Sequence, residues 1–327
     1  MSQYIVKRLL LLPLLLLIFS VFAFVIIQAP PGDFITTYIA DLAASGSAID
    51  QAQIDALRER YGLDQPMYMQ YFKWMQRLVT GDLGFSLDWQ KPIKELIGER
   101  IALTVVLGLF TFAFTWLLAI PIGIISAVKQ YSFLDYFFTI FNYFGVATPT
   151  FMTALILMWI AFSQFGVSVT GLFSPEYIDA PWTMDRVRDL LRHMWLPMII
   201  LGLDGTARLA RIMRANLLDE LNKPYVEMAR AKGLSEWKLI WKYPVRLAIN
   251  PLVSTIGWYL PLIFSGSVIV ATVLNLPTIG PMLLRSLISQ DMFLAGTIIM
   301  MYLFLAVIGT LISDILLAWL DPRIRME

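Results

Sequence analysis

Residues able to perform reaction chemistry are scarce in this 327-residue chain. Its one histidine, His193, stands beside Trp195 at the edge of an apolar stretch, where a structural role at a membrane interface is far more common than a ligand role. The chain has no HExxH, no GxSxG, no Gly-rich phosphate loop ending in Lys and Ser or Thr, and no cysteine. We therefore predict that this chain holds no catalytic residue, no cofactor and no metal.

One acid and one base are placed to interact within an apolar stretch. In LGLDGTARLARIMR, Asp204 precedes Arg208 by four positions, so the two side chains share one face of a helix. Two interpretations stay open: an ion pair near a helix end, and a polar lining of a transport pathway. A proton-coupled carrier would be expected to have more such groups than the apolar stretches contain.

The densest run of charge is YVEMARAKGLSEWKLIWKYPVR at 225–246. Pro224 suits the first position of a helix, Glu227 would lie in the first turn, where the helix dipole favours an acid, and Gly233 suits a left-handed C-cap. These signals predict one short helix, about nine residues long.

A second amphipathic pattern follows the glycine. Trp237, Ile240 and Trp241 are spaced to share one helical face. Basic residues recur at every fourth position on another face: Lys238, Lys242 and Arg246. The pattern is typical of a helix in the lipid headgroup layer, and two roles stay open for the segment: binding anionic lipid, or docking on a partner.

The elements that position these residues must be membrane helices. Hydrophobic residues make up 58% of the chain, charged residues make up 15%, and the mean hydropathy is +0.69. Such a composition is too apolar for an ordinary soluble domain. The net charge of +1 argues against a nucleic-acid partner, because binding phosphates needs a basic surplus.

Apolar windows of about twenty residues, the length that crosses a bilayer, predict six spans. They cover roughly 9–28, 101–127, 137–163, 194–215, 250–273 and 293–318. Basic residues concentrate in 208–246 and recur near both chain ends, so the positive-inside rule places these segments in the cytoplasm. The predicted fold is an all-α polytopic membrane protein with six transmembrane helices and both termini cytoplasmic.

The stretch 33–100 falls on the outer side in this topology and is predicted to be helical. Asp50 and Gln53 form a capping-box pattern for a helix that Gly62 would end. MYMQYFKWMQRLV has apolar residues at helical spacing, GDLG breaks that helix, and KPIKELIGER predicts another short helix before the second span. These helices would form an interfacial collar packed on the bundle, or a surface for a soluble partner. The predicted division is a first helix, a helical insertion and a five-helix core that contains the cytoplasmic segment 220–246: 1–32, 33–100 and 101–327.

Several motifs together resemble one family along nearly the whole chain. Glu227, Ala229 and Gly233 match the first half of the E-A-A-x-x-x-G signature of ATP-binding-cassette (ABC) importer permeases, with Met228 replacing one alanine. Further stretches resemble the first permease subunit of the dipeptide, oligopeptide and nickel importers: YIVKRLLLLPLLLL, PPGD at 30–33, LRERYGLDQP at 57–66, GDLGFS at 81–86, AIPIGIISAVKQYSFLDY at 119–136, ARAKGLSEWKLIWKYPVRLAINP at 229–251, LPTIGPMLLRSLISQDM at 276–292 and LDPRIR at 320–325.

The resemblance implies a type I importer permease in an inner membrane. It implies that a coupling helix, seated in a groove of a cytoplasmic ATPase, includes Tyr225, Glu227, Met228, Ala229, Arg230, Ala231, Lys232 and Gly233. It also implies a homologous second permease, two ATPase subunits that bind ATP and Mg, and an extracytoplasmic binding protein that delivers the substrate.

The chain departs from the family pattern at two places that concern this assignment. The signature would continue with I-x-L-P where the chain has Tyr243, Pro244, Val245 and Arg246, so only its first half is matched. Ala271 replaces an acid found in peptide-type relatives, which leaves a neutral oligosaccharide as a rival to a peptide. Aromatic residues that could stack on sugars, or form interfacial belts, are Trp116, Trp159, Trp182, Trp195, Trp258 and Tyr259.

Two classes of function therefore compete. The favoured one is a permease subunit driven by partner ATPases, and it carries a peptide or a small oligosaccharide. Nickel is disfavoured because imidazole and thiolate ligands are nearly absent. The other class is a self-sufficient proton-coupled transporter or channel that uses Asp204 and Arg208.

Overall fold

The computed structural model describes residues 2–30, 34–36, 39, 58–59, 64–166, 169–256 and 268–320. Within these ranges the chain is almost entirely α-helical, as the predicted fold class requires. The first helices are α1 (Ser2–Gln28) and α2 (Met67–Val79), and a short antiparallel hairpin follows, formed by β1 (Phe85–Ser86) and β2 (Lys91–Pro92). The predicted capping box of Asp50 and Gln53, with its stop at Gly62, lies outside the described residues.

The second predicted span belongs to a longer helix. Helix α3 runs from Ile93 to Val128 without interruption, so KPIKELIGER is not a separate short helix. No proline falls between Ile93 and the start of the predicted span, and Glu95 lies in the first turn, where the dipole favours an acid. The surface helix and the membrane helix therefore merge.

The third predicted span is broken. It consists of α4 (Phe133–Ala147) and α5 (Thr150–Phe165), whose axes are bent by 106°. Pro149 has no N–H to continue the helix and disfavours helical geometry at the residue before it, and Thr148 accordingly has φ −91° and ψ 124°. The prediction of one continuous span over 137–163 was wrong.

The fourth predicted span lies inside the longest helix, α6 (Met184–Leu221), which has 38 residues. The side chain of Thr183 caps it by accepting a hydrogen bond from the Arg186 amide at 3.3 Å. Short helices follow: α7 (Pro224–Ala231), α8 (Glu236–Lys242), α9 (Pro244–Ala248), α10 (Asn250–Ser254), α11 (Val268–Val273) and α12 (Ile279–Ile288).

The last helix is α13 (Met292–Leu320). In the described part of the chain, three helices are long and apolar enough to cross a membrane, or four if α4 and α5 count as one span. Residues 257–267, inside the fifth predicted span, lie outside the described ranges. The count of six spans and the topology stay predictions.

The chain forms two compact units, each with its own core. One unit contains 104–277 with 1–5 and 306–327, and the other contains 6–103 with 278–305. The core of the first unit surrounds α6, where Leu209, Met213 and Leu217 are fully buried.

In the second unit, α2 packs by its tryptophan. The Trp74 ring lies 5.7 Å from that of Phe24 on α1, and it covers Gly296, where a Cβ atom would come within 2.9 Å of the indole. The Tyr71 hydroxyl is also 2.8 Å from that of Ser20. These contacts agree with the interpretation of α2 as a packed collar.

Candidate functional site

The charged segment 225–246 begins with a helix that is tied to the end of α6. Pro224 occupies the first turn of α7, as predicted. The Tyr225 hydroxyl donates a 2.6 Å hydrogen bond to Glu220 Oε2, and Lys223 Nζ lies 3.1 Å from the other oxygen of the same carboxylate. Burial and the bond to Glu220 raise the pKa of the Tyr225 phenol. The start of α7 is therefore held to the last turn of α6.

The end of α7 has the backbone that its glycine predicted. Gly233 has φ 79°, and its amide donates to the Arg230 carbonyl at 3.0 Å, while the Leu234 amide reaches the Ala229 carbonyl at 3.4 Å. The two bonds form a Schellman motif that satisfies the last carbonyls of the helix. A Cβ added at Gly233 would meet nothing within 4 Å, so only the positive φ favours glycine there.

Helix α7 presents one packed face and one open face. Val226 is fully buried and Ala229 is 8% exposed, and both belong to the core around α6. Of the other predicted coupling residues, Tyr225 is half-buried and the rest are exposed: Glu227, Met228, Arg230, Ala231, Lys232 and Gly233. One side of this short helix is thus anchored, and the other is available to a partner.

A second short helix braces the first. Arg230 makes a two-pronged ion pair with Glu236, with a 3.2 Å distance from Nη2 to Oε2. Arg230 lowers the pKa of the Glu236 carboxyl by this hydrogen bond. Both side chains are about half exposed, so the pair orients α8 against α7 and contributes little free energy.

The faces of α8 differ from the predicted ones. Trp237 and Trp241 are exposed and their rings stack edge to face at 5.6 Å, but Ile240 is buried. The helix ends at Lys242 because Pro244 cannot continue it, so Arg246 belongs to α9. The continuous cationic stripe predicted for this segment is therefore wrong.

The predicted ion pair on α6 exists. Arg208 Nη2 lies 2.9 Å from one oxygen of Asp204 and 3.1 Å from the other. The side chains of Arg208 and Asp204 are 50% and 28% exposed, which is the range where an i,i+4 pair adds only tenths of a kcal/mol.

A stronger pair was not predicted. Arg214 on α6 donates two hydrogen bonds of 2.8 Å each to the carboxylate of Asp135 on α4, and the Asp135 side chain is only 4% exposed. Asp135 also accepts from the Tyr131 amide at 3.0 Å. The stretch SFLD contains a local signal, since the Ser132 side chain caps the Asp135 amide, but the partner lies 79 positions away.

Small residues bring neighbouring helices close to α6. A Cβ at Gly145 on α4 would lie 3.1 Å from that of Ala207, and one at Gly123 on α3 would lie 2.6 Å from that of Met213. Close approach over small residues is the usual means of helix packing in membranes. With the pair of Asp135 and Arg214, these contacts join α3, α4 and α6 into one block that leads into α7.

The histidine has structural partners. His193 Nδ1 lies 2.9 Å from the Asp189 carbonyl and 3.4 Å from its carboxylate, and that carboxylate also accepts from the Ser174 amide and hydroxyl, both at 2.7 Å. Among the described residues, no group of three or more acidic or histidine side chains could hold a metal ion.

The described aromatic residues considered for sugar stacking have separate surroundings. The Trp182 ring is covered by the Arg186 guanidinium at 4.5 Å, and Trp116 packs on Phe112 with ring centroids 5.2 Å apart. Trp159 is exposed, Trp195 lines an apolar pocket, and Trp258 and Tyr259 lie outside the described residues.

A buried acid, Asp291, bonds the hairpin that precedes α3 and belongs to the same unit. Asp291 is fully buried and accepts from the Ser86 hydroxyl at 2.5 Å and from the Leu294 amide at 3.2 Å. Burial raises the pKa of the Asp291 carboxyl despite these hydrogen bonds. Next to it, Arg285 lies 2.7 Å from Asp88 and 4.5 Å above the Trp89 ring.

Comparisons with known proteins cover the whole chain. Residues 119–326 match the family described as binding-protein-dependent transport system inner membrane component, and residues 1–108 match the N-terminal family of such membrane components. The chain is 34% identical to the oligopeptide transport system permease protein AppB of Bacillus subtilis (strain 168), over 99% of this chain and 100% of the relative.

Two further relatives extend the comparison. The dipeptide transport system permease protein DppB of Alkalihalophilus pseudofirmus is 30% identical over 99% of this chain and 100% of its own length. The glutathione transport system permease protein GsiC of Escherichia coli O6:H1 is 30% identical over 100% of both chains.

Proposed function

The chain belongs to the family of binding-protein-dependent transport system inner membrane components, and from this premise we propose that it carries small peptides through a pathway shared with a homologous second permease. It is an inner-membrane permease subunit of an ABC importer and a transport subunit, not an enzyme. This membership decides against a self-sufficient carrier built on Asp204 and Arg208.

The proposed partners follow from the missing energy source. The chain has no phosphate-binding loop, so ATP and Mg would bind to two cytoplasmic ATPase subunits. An extracytoplasmic binding protein would deliver the substrate. In the predicted topology, the segment 220–246 would face the ATPases from the cytoplasmic side.

Coupling is proposed to pass through α7. The observation that supports this role is that α7 is anchored by Val226 and Ala229, is tied by Glu220 to α6, and leaves Glu227, Met228 and Lys232 open. A groove on an ATPase that closes over the open face would move α7, and α6 would transmit the movement to α4 through Asp135 and Arg214.

A peptide is preferred to an oligosaccharide as the cargo. AppB, DppB and GsiC are named for oligopeptide, dipeptide and glutathione transport. Among the described tryptophans that could stack on sugars, Trp182 is covered by Arg186 and Trp116 packs on Phe112. No observation favours nickel.

The test uses the complete importer. The chain is co-purified with the ATPases and second permease encoded with it, and the binding protein is screened by thermal shift against di-, tri- and tetrapeptides and against neutral oligosaccharides. We expect a peptide to stabilise the binding protein, and the loaded form to stimulate ATP hydrolysis and uptake in vesicles. Stabilisation by sugars alone would contradict the cargo, and uptake by the lone chain under a proton gradient would contradict the ATP-driven mechanism.

A further inference from the structure

A cleft of about 540 Å³ opens beside the exposed face of α7. Its lining comes from α7, from the turn after it, and from the region where α8 gives way to α9: Tyr225, Met228, Ala229, Lys232, Leu234, Lys242, Tyr243, Arg246 and Leu247. The residues from α7 lie one turn apart along a single side of that helix. A partner that covers the open face of α7 therefore also reaches the cleft.

The charge in the cleft has one sign. Lys232, Lys242 and Arg246 line it, and none of the other described residues that line it is an acid. Two acids of this region are engaged elsewhere: Glu220 bonds Tyr225 and Lys223, and Glu236 bonds Arg230. The third, Glu227 on α7, does not line the cleft. In the described part of the chain, no ion pair involves any of the three cations. Lys242 Nζ lies 5.3 Å above the Tyr243 ring, a contact that leaves its hydrogen-bond donors available. The cleft thus offers charge-assisted hydrogen bonds that no described residue is seen to use.

The apolar remainder of the lining favours a compact side chain over a free anion. Ala229 is buried at the edge of the cleft, and Leu234, Leu247 and Met228 add apolar surface around the cations. A carboxylate on one or two methylene groups would place its charge at the cations and its stem on this surface. The exposed pair of Trp237 and Trp241, the feature suited to lipid headgroups, does not line the cleft.

We propose that this cleft receives an acidic side chain, Asp or Glu, of the ATPase subunit, and that Lys232, Lys242 and Arg246 bind its carboxylate. This inference rests on the proposed docking of α7 and adds the chemistry of the partner. Charge complementarity of this kind sets the orientation and rate of docking, and salt weakens it.

A zero-length cross-linker tests the contact directly in the intact importer. A water-soluble carbodiimide joins a lysine amine to a carboxylate only when the two groups touch. We expect peptide mapping to find Lys232 or Lys242 joined to an Asp or Glu of the ATPase. Lys238, which is exposed on α8 but does not line the cleft, is the internal control and should give far less product.

Charge variants give a second, independent measurement. Lys242→Gln and Arg246→Gln each remove one exposed charge, and Lys238→Gln is the matched control. We expect ATPase association at low salt to weaken about fivefold for each cleft variant and to lose part of its salt dependence, with the control unchanged. Lys242→Glu should weaken association further. Replacing the cross-linked acid of the ATPase by Lys should then restore association with the Lys242→Glu variant.

The outcomes separate this inference from the proposed function. Absence of any ATPase cross-link at Lys232 and Lys242, with normal association of the cleft variants, would overturn the inference. If Gly233→Val, which strains the left-handed turn at the end of α7, uncouples hydrolysis from uptake in that case, coupling through α7 stands. Loss of binding to anionic phospholipid vesicles in the cleft variants, with ATPase association intact, would overturn it in favour of a lipid site.

Discussion

At the residue scale, Gly233 holds the left-handed turn that ends α7, at φ 79°. Gly233→Val would cost on the order of 1 to 2 kcal/mol, because a β-branched residue disfavours this φ even though its Cβ has free space. That cost is too small to prevent insertion but large for an eight-residue helix. We expect normal membrane abundance and a clear loss of ATPase stimulation by loaded binding protein, both measured in one preparation.

The comparison variant for this glycine is Gly233→Asn. Asparagine accepts left-handed φ more readily than other non-glycine residues, so it should retain most of the stimulation. If the valine variant couples as well as wild type, α7 is not the coupling element.

Asp135 and Arg214 allow a second test at this scale. Asp135→Asn would leave the Arg214 guanidinium without its counter-charge at a site where Asp135 is 4% exposed. We expect a loss of about 2 to 3 kcal/mol, seen as a lower thermal midpoint and lower recovery of the complex. The double variant with Arg214→Gln should recover part of the loss, because no charge is then stranded.

The pair on α6 supplies the matched control. Asp204→Asn breaks an exposed pair of the same type. It should lower the free energy of unfolding by less than about 1 kcal/mol and therefore change the thermal midpoint little. Equal effects of the two substitutions would mean that the bond between α4 and α6 has no special role.

At the element scale, the sequence predicted what local chemistry decides. Pro224 and Gly233 bracket α7 because a missing N–H and a positive φ act within one turn. The bend between α4 and α5 also had a local signal in Pro149, which the apolar composition of the window masked. Ile240 was placed on the wrong face because helical spacing gives a stripe but does not say which side the core covers.

Long-range pairing could not be predicted in this way. Asp135 and Arg214 are 79 positions apart, and several arginines on α6 were equivalent candidates by spacing alone. The cationic cleft has the same origin, since it needs α7, α8 and α9 to fold back on one another.

The helix dipole gives a test of α7 as an element. Glu227 lies in its first turn and is exposed, so Glu227→Lys replaces a favourable charge by an unfavourable one, a change of about 1 kcal/mol. We expect unchanged insertion and a loss of ATPase docking in pull-down and of stimulated hydrolysis. Glu227→Gln should fall between wild type and lysine, and a lysine variant that docks normally would argue against this role.

At the scale of the whole molecule, hydropathy and charge answer different questions. Three described helices, or four with the bent pair, meet the length and apolarity of a membrane span. Helix α6 is not among them, because Asp204, Arg208 and Arg211 interrupt its apolar stretch. The basic residues of 208–246 predict the side of that segment directly, whatever the number of spans, so the topology is tested there.

The orientation can be tested with single cysteines, because the natural chain contains none and any label then reports one site. Ser235, the exposed residue that precedes α8, lies in the basic segment that the positive-inside rule places in the cytoplasm. Val79, 78% exposed at the end of α2, lies in the insertion predicted to face outward. We expect a membrane-impermeant maleimide to label Val79→Cys in intact cells and Ser235→Cys only after the membrane is opened. The reverse pattern would invert the map. Labelling of both sites in intact cells would require an even number of spans between them instead of the predicted three, and would place α7 out of reach of any cytoplasmic ATPase.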